Sequence, residues 1–215
     1  LNLGAIVPIV RLRISLDNLG CVSGAPMSNL FLDNLTEHAE VFASLPALAP
    51  VVAQAGSLMA QAVRVGGKVM FCGNGGSAAD SQHLAAELTG RFIHDRPPLA
   101  GLALSTDSSG LTCIGNDYSF DEVFARQVRG LGRPGDVLIA ISTSGNSRNV
   151  LRAVEEARAL SIRVVGLLGR DGGALKAVCD VPIVVPSQVT ARIQEAHILI
   201  GHTLCGLIEE ELGLA

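Results

Sequence analysis

Lys68-Val69-Met70-Phe71-Cys72-Gly73-Asn74-Gly75-Gly76-Ser77-Ala78-Ala79-Asp80-Ser81-Gln82-His83 is the stretch that decides the fold. Its first five residues form an apolar run of strand length, its glycines make a turn, and a helix starts at about Ser77. Glycines in such a turn let backbone N–H groups approach a ligand closely. Ser77 is placed to cap the helix, and a helix N-terminus favours a phosphate.

The same alternation continues downstream. Short apolar runs at Val69–Cys72, Gly101–Leu104, Val137–Ile141, Val164–Leu168 and Ile183–Val185 are separated by helical patterns. Five such runs predict an α/β fold with a doubly wound, five-stranded parallel sheet covered on both faces. Upstream, Leu30 to Leu45 and Pro50 to Val65 carry helical spacing and predict two N-terminal helices broken near Pro46 and Pro50. A long last helix is expected from Ala191 to about Leu212. In this architecture ligands bind beyond the carboxyl ends of the strands. The loops there are 73–77, 105–107, 142–147 and 169–173, with 187–190 leading into the last helix.

The 215 residues suit one core, so 27–215 is read as a single domain. Residues 1–26 are set aside as an extension of unknown status: Arg11 and Arg13 interrupt their apolar residues, which makes a poor signal peptide. Met27, just before Ser28-Asn29-Leu30, is a candidate start. A net charge of −4 without any Lys/Arg run argues against a nucleic-acid partner. Cys21, Cys72, Cys113, Cys179 and Cys205 are scattered without CxxC spacing and are read as buried thiols of a reducing compartment. No uninterrupted apolar run reaches the roughly 18 residues of a membrane span, so no membrane partner is expected.

Ser142-Thr143-Ser144-Gly145-Asn146-Ser147 is a second anion-binding candidate, with hydroxyls, a glycine and a helix start that can surround phosphate oxygens with neutral donors. Alone it fits an ordinary helix cap equally well; beside the glycine turn, phosphate is the better reading. Neither loop ends in the Gly-Lys-Ser/Thr of a P-loop, and GxGxxG is absent. His83 and Glu87 stand at i and i+4, so they share a helix face where they can bind one divalent ion or share a proton. A solvated polar face has the same spacing. The last helix offers Gln194, Glu195, His197 and His202 as partners. On a straight helix Gln194 and His202 are roughly 80° and 12 Å apart. Spacing therefore leaves the choice between His197 and His202 open, with His197 a hydrogen-bonded core histidine by default.

Cys-Gly-Asn-Gly-Gly-Ser at 72–77, Gln-His-Leu-Ala-Ala-Glu-Leu-Thr-Gly-Arg-Phe at 82–92, Asp-Arg-Pro at 95–97, Gly-Asn-Asp-Tyr at 115–118, Ile-Ser-Thr-Ser-Gly-Asn-Ser at 141–147 and Arg-Ile-Gln-Glu-Ala-His at 192–197 together resemble the bacterial phosphoheptose isomerases (sedoheptulose 7-phosphate isomerases). These belong to the sugar-isomerase (SIS) domain superfamily, and the likeness runs from about residue 30 to the end. The resemblance implies a flavodoxin-like domain, a cytoplasmic homotetramer with active sites near subunit interfaces, and one zinc ion per subunit. It implies His83, Glu87, Gln194 and His202 around the metal, and Ser142, Thr143, Ser144 and Ser147 on the phosphate. Asn74, Gly75, Gly76, Ser77, Glu87, Asn116, Asp117 and Gln194 would lie near the sugar. Many relatives carry Asp just before Arg-Ile-Gln where this chain has Ala191.

The expected reaction is aldose–ketose isomerisation of sedoheptulose 7-phosphate to D-glycero-D-manno-heptose 7-phosphate through an enediol, supplying cell-envelope glycans such as lipopolysaccharide. Glu87 is the expected base and His202 the expected acid. The competing expectations are a non-catalytic SIS regulator that binds the replication initiator or a phosphosugar, and another phosphosugar isomerase. A regulator needs the two loops but not Glu87 and His202.

Overall fold

A computed structural model describes Asn29 to Leu214. The extension at 1–26 and the candidate start at Met27 lie outside the described residues. Helix α1 (Leu30–Ser44) and helix α2 (Ala49–Arg64) are separated by a 3-10 turn at Leu45–Leu48. Pro46 and Pro50 each fall in the first turn of the segment they open, where a missing N–H breaks no helical bond.

Strand and helix then alternate: β1 (Val69–Cys72), α3 (Gly76–Thr89), β2 (Gly101–Ala103), α4 (Ser108–Asp117), α5 (Ala125–Leu131), β3 (Val137–Ser142), α6 (Arg148–Ala159), β4 (Arg163–Gly169), β5 (Val181–Val185) and α7 (Thr190–Glu211). Every strand pair is parallel, in the order β2-β1-β3-β4-β5. The order reverses between β1 and β3, so the glycine turn and the serine loop emerge side by side at the switch point, where a doubly wound sheet binds its ligand.

Alternate strand residues face opposite sides. Phe71, Ile139 and Leu167 pack with α2, α3 and α7, while Met70, Leu138 and Leu168 pack with α5 and α6. Burial on both faces explains why these strands read as continuous apolar runs, and each fully buried side chain of this kind contributes about 1.5–3 kcal/mol. Strand β5 begins at Val181, two residues before its expected start, because Pro182 is tolerated on an edge strand.

Among the described residues no α1 side chain is buried, and Leu30, Phe31 and Leu35 are exposed. Helix α1 is held to α7 by Arg192, which donates to the Asn34 carbonyl at 2.8 Å and to Glu195 at 2.6 Å. Glu195 also pairs with His38 at 2.9 Å. Arg192 thus keeps carboxylate and carbonyl partners although its neighbour is Ala191. Within Leu30–Arg64 an 18-residue window of mean hydropathy 1.5 has the length and composition of a membrane span. The α2 portion of that stretch turns Val52, Ala55, Met59 and Ala60 into the core instead.

Candidate active site

Helices α3 and α7 lie against each other, and the seam between them carries the titratable groups. Gly201 allows their close approach: a Cβ there would stand 2.6 Å from Leu84 Cδ1, so a larger residue would force the Leu84 side chain or α7 to shift. The next residue, His202, consequently reaches His83, with the two Nε2 atoms 2.8 Å apart. Glu87 Oε1 lies 3.1 Å from His83 Nε2. One ligand atom from each of His83, Glu87 and His202 falls within 4.8 Å of the other two. Phe92 stacks on the His202 ring at a centroid distance of 5.5 Å and an interplanar angle of 24°.

Gln194 stands further up the seam. Its amide lies over Gly76, where a Cβ would sit 3.0 Å from Gln194 Cδ. That is about two turns of α3 from His83. Its side chain therefore touches the head of α3, between the glycine turn and the three-residue cluster. Asp80, one turn before His83, was not singled out by sequence reasoning. Its Oδ2 is buried without a hydrogen-bond partner among the described residues. Burial pushes its carboxyl above the ordinary range, and the charges of His83 and His202 pull it back in part. Its i,i+3 spacing to His83 was the available signal.

The other histidine of α7 is fully buried, and its Nε2 donates to the Leu168 carbonyl at 3.0 Å. His197 therefore ties α7 to the end of β4 and takes no part in the seam cluster. Burial lowers its pKa to about 4, partly offset by that carbonyl. Unfolding lets the ring take up a proton it refuses when folded. The resulting stability is complete above the ordinary value of 6.5 and is lost as pH falls toward 4, amounting to about 3 kcal/mol. His197→Asn is expected to keep turnover within a few-fold of wild type and to shrink the loss of urea midpoint between about pH 7 and about pH 4.5. An unchanged pH dependence of the midpoint would show that another group carries the acid sensitivity.

In the glycine turn, Gly75 takes the N-cap position of α3 at φ 57°, and no side chain caps the helix among the described residues. Ser77 is therefore not the expected cap: it lies inside the first turn, buried, with its N–H bonded to the Asn74 carbonyl at 3.0 Å. In the serine loop, Ser147 is the N-cap residue of α6 but makes no capping bond. Its hydroxyl meets that of Ser142 at 2.9 Å instead. Among the described residues the first-turn N–H groups of α6 are thus left without a side-chain cap, which keeps them open to an anion. Arg148, the first residue of α6, is directed to Asp121 at 3.0 Å.

Asn149, also absent from the sequence reading, joins the two loops. It and Asn74 exchange two amide hydrogen bonds of 2.8 Å each. Gly73, Asn74, Gly75 and Ser105 line a cavity of about 170 Å³ with Phe120 and Phe124. Asn116 and Asp117 end α4 on the surface, hydrogen-bonded to each other at 2.8 Å, and do not line that cavity. A second cavity of about 200 Å³, lined by Leu58, Val65, Asp136 and Arg163, sits at the opposite end of the strands.

Cys72, Cys113, Cys179 and Cys205 are all free thiols. Cys113 departs from the expected burial: it lies exposed on α4, none of whose described residues is buried, and its thiol donates to Asp117 at 3.4 Å. Burial pushes the Cys205 thiol up to about 12.

A family profile described as SIS domain matches residues 31–169. The phosphoheptose isomerase of Rhodospirillum rubrum is 57% identical over 174 residues, covering 81% of this chain and 93% of that protein. That of Helicobacter hepaticus is 51% identical over 187 residues, covering 87% and 95%. Among solved structures, the phosphoheptose isomerase of Neisseria gonorrhoeae superposes with a TM-score of 0.80 at 48% identity, covering 84% of this chain and 97% of that one. Identity at this level over most of the chain, on a sheet of the same architecture, places it in a family: the chain belongs to the phosphoheptose isomerases of the SIS-domain proteins.

Proposed function

We propose that this chain interconverts sedoheptulose 7-phosphate and D-glycero-D-manno-heptose 7-phosphate. The observation that carries this reading is the meeting of Glu87 and His202 across the α3/α7 seam, on the helix that leads from the glycine turn. A base must take the proton from the carbon beside the carbonyl, and an acid must deliver one to the neighbouring carbon. Glu87 is the base that forms the enediol and His202 the acid that completes the transfer. A phosphate held by Ser142, Thr143, Ser144 and Ser147 fixes the chain of carbons, so that the reacting end is presented in one geometry. Gly75, Gly76 and Ser77 border the sugar, and so does Gln194. The side-chain amide of Asn74 is engaged with Asn149 and its carbonyl with Ser77 N–H, which leaves its backbone N–H for the ligand.

The donor set of His83, Glu87 and His202 fits zinc: two imidazole nitrogens and a carboxylate oxygen, the ligand types zinc takes, lie within 4.8 Å of one another. Gln194 is the proposed fourth ligand, and to serve as one its amide must swing from its place over Gly76 toward the cluster. When bound, zinc supplies a Lewis acid that polarises the substrate carbonyl. The reading extends to a homotetramer, supported by the uncovered apolar residues Leu30, Phe31 and Leu35 of α1. It also extends to a cytoplasmic enzyme feeding cell-envelope glycans, in keeping with the four free thiols. A non-catalytic regulator is not favoured, because the relatives that match over most of the chain carry the isomerase name.

The deciding experiment incubates purified protein with sedoheptulose 7-phosphate, with and without a chelator, and counts metal by elemental analysis. About one zinc per chain is expected, with activity lost on chelation and restored by zinc. Full activity in metal-free protein would remove the metal from the reading. Ser144→Ala is expected to lower kcat/KM by roughly 10 to 150-fold, since a hydrogen bond to a charged group contributes about 1.5–3 kcal/mol. Unphosphorylated sedoheptulose should be a very poor substrate. Equal rates for the two ketoses, with Ser144→Ala matching wild type, would sink the phosphate assignment.

A further inference from the structure

The Arg96 and Glu209 side chains are each only 1% exposed, yet neither is part of the proposed chemistry. Arg96 Nε donates to Glu209 Oε1 at 2.7 Å. Its Nη2 donates to the carbonyl of Glu87 at 2.8 Å, and its Nη1 to the carbonyl of Leu88 at 2.9 Å. These two carbonyls belong to the last turn of α3, where a helix has no partners of its own to offer. Glu209 lies two turns beyond His202 on α7. Its two oxygens also accept the N–H groups of Phe92 and Ile93, each at 3.3 Å. Phe92 is the residue whose ring rests on His202.

One buried ion pair therefore grips three things at once: the backbone of the proposed base, the helix that carries the proposed acid, and the segment that lies on the acid's imidazole. Burial by itself would raise the Glu209 carboxyl. The Arg96 guanidinium and the two backbone N–H groups outweigh it and hold the carboxyl below the ordinary range, so the grip stays charged. Apolar residues of similar volume could fill the same space, but only this pair also ties down the end of α3 and the Phe92 segment through their backbone groups. We propose that Arg96 and Glu209 are positioning residues for the reaction, holding Glu87 against His202 and fixing the His202 ring through Phe92. This rests on the isomerase reading given above.

The test compares zinc-loaded wild type with a paired Arg96→Met/Glu209→Leu variant and with Phe92→Leu and Phe92→Tyr. Thermal unfolding, kcat, KM and the imidazole C–H proton resonance of His202 in metal-free protein are measured for each. That resonance carries the ring current of Phe92, and a merely structural role for the pair would not move it. The folded paired variant is expected to lose about 10 to 100-fold in kcat with KM little changed, because misplacement of a catalytic group by about 1 Å costs that order of rate. Its His202 resonance should shift. Phe92→Leu should lose about 5-fold in kcat with the same shift, and Phe92→Tyr should restore both. The proposal is overturned if the folded paired variant keeps wild-type kcat. Where the paired variant fails to fold, it is overturned if Phe92→Leu keeps wild-type kcat and an unmoved resonance. Failure of the isomerase reading is told apart by Glu87→Gln: unimpaired turnover there removes the base itself, whatever the paired variant does.

Discussion

Glu87→Gln is expected to lower turnover of sedoheptulose 7-phosphate by about 10²–10⁴-fold while leaving the fold intact, and His202→Asn to do the same. Glutamine keeps the volume of Glu87 and a carbonyl oxygen near His83, but it cannot take a proton from carbon. Asparagine at 202 is polar and half-buried as the histidine is, so the α3/α7 seam, with Gly201 against Leu84, should survive. Because both groups also belong to the proposed zinc set, each variant is assayed with its metal content counted. Loss of turnover with zinc retained assigns the residue to proton transfer. Loss of both assigns it at least to the metal, and a larger drop is then expected. His197→Asn is the control on the same helix, since His197 is spent on the Leu168 carbonyl. Equal losses at 197 and 202 would mean that the pairing of His83 with His202 is not the working geometry.

The strands of the sheet were legible because both faces are covered, which turns each one into an apolar run that local reading can find. Strand β1 was read residue for residue as Val69–Cys72. The start of β5 was not, because Pro182 obscures a strand that only its edge position permits. Loop positions at the switch point followed from the alternation of strand and helix alone. Groupings that depend on how two helices approach did not. Straight-helix geometry cannot say whether His197 or His202 turns toward α3. The deciding facts are the missing side chain at Gly201 and the tether from His197 to β4, both of them contacts between distant residues. Helix capping failed for a related reason. Ser77 and Ser147 have the residue type of caps, but one lies inside its helix and the other bonds Ser142, which are positions set by the neighbouring loop. Asn149 carries no local signal, and the Asp-Arg-Pro motif around Arg96 gives no hint of its role, since each has a partner at least 75 positions away along the chain.

Gly145→Ala should have the largest effect of any single change in the phosphate loop. Gly145 sits at φ 67°, and a Cβ would run into the backbone carbonyl of Gly172 and stand 2.7 Å from the N–H nitrogen of Gly173. Neither obstacle is a side chain that can swing away. The Gly145 carbonyl also accepts from Leu175 N–H at 3.0 Å, so the loop is clamped to the segment it would collide with. Relief requires the loop to lift from that segment or to abandon the left-handed conformation, and either movement carries Thr143, Ser144 and Asn146 with it. Losing two donors to a charged phosphate costs about 3–6 kcal/mol, equivalent to about 10²–10⁴-fold in kcat/KM. Ser144→Ala, which removes one hydroxyl from a loop left in place, should cost less. The strained conformation adds about 1–3 kcal/mol of instability, so a lower melting temperature is expected along with the kinetic loss. The two effects separate on the substrate: activity toward unphosphorylated sedoheptulose should stay at its low wild-type level, while the rate with the 7-phosphate falls toward it. A folded Gly145→Ala enzyme with wild-type kcat/KM on the 7-phosphate would show that the serine loop does not hold the phosphate, because the loop cannot stay where it is once that Cβ is present.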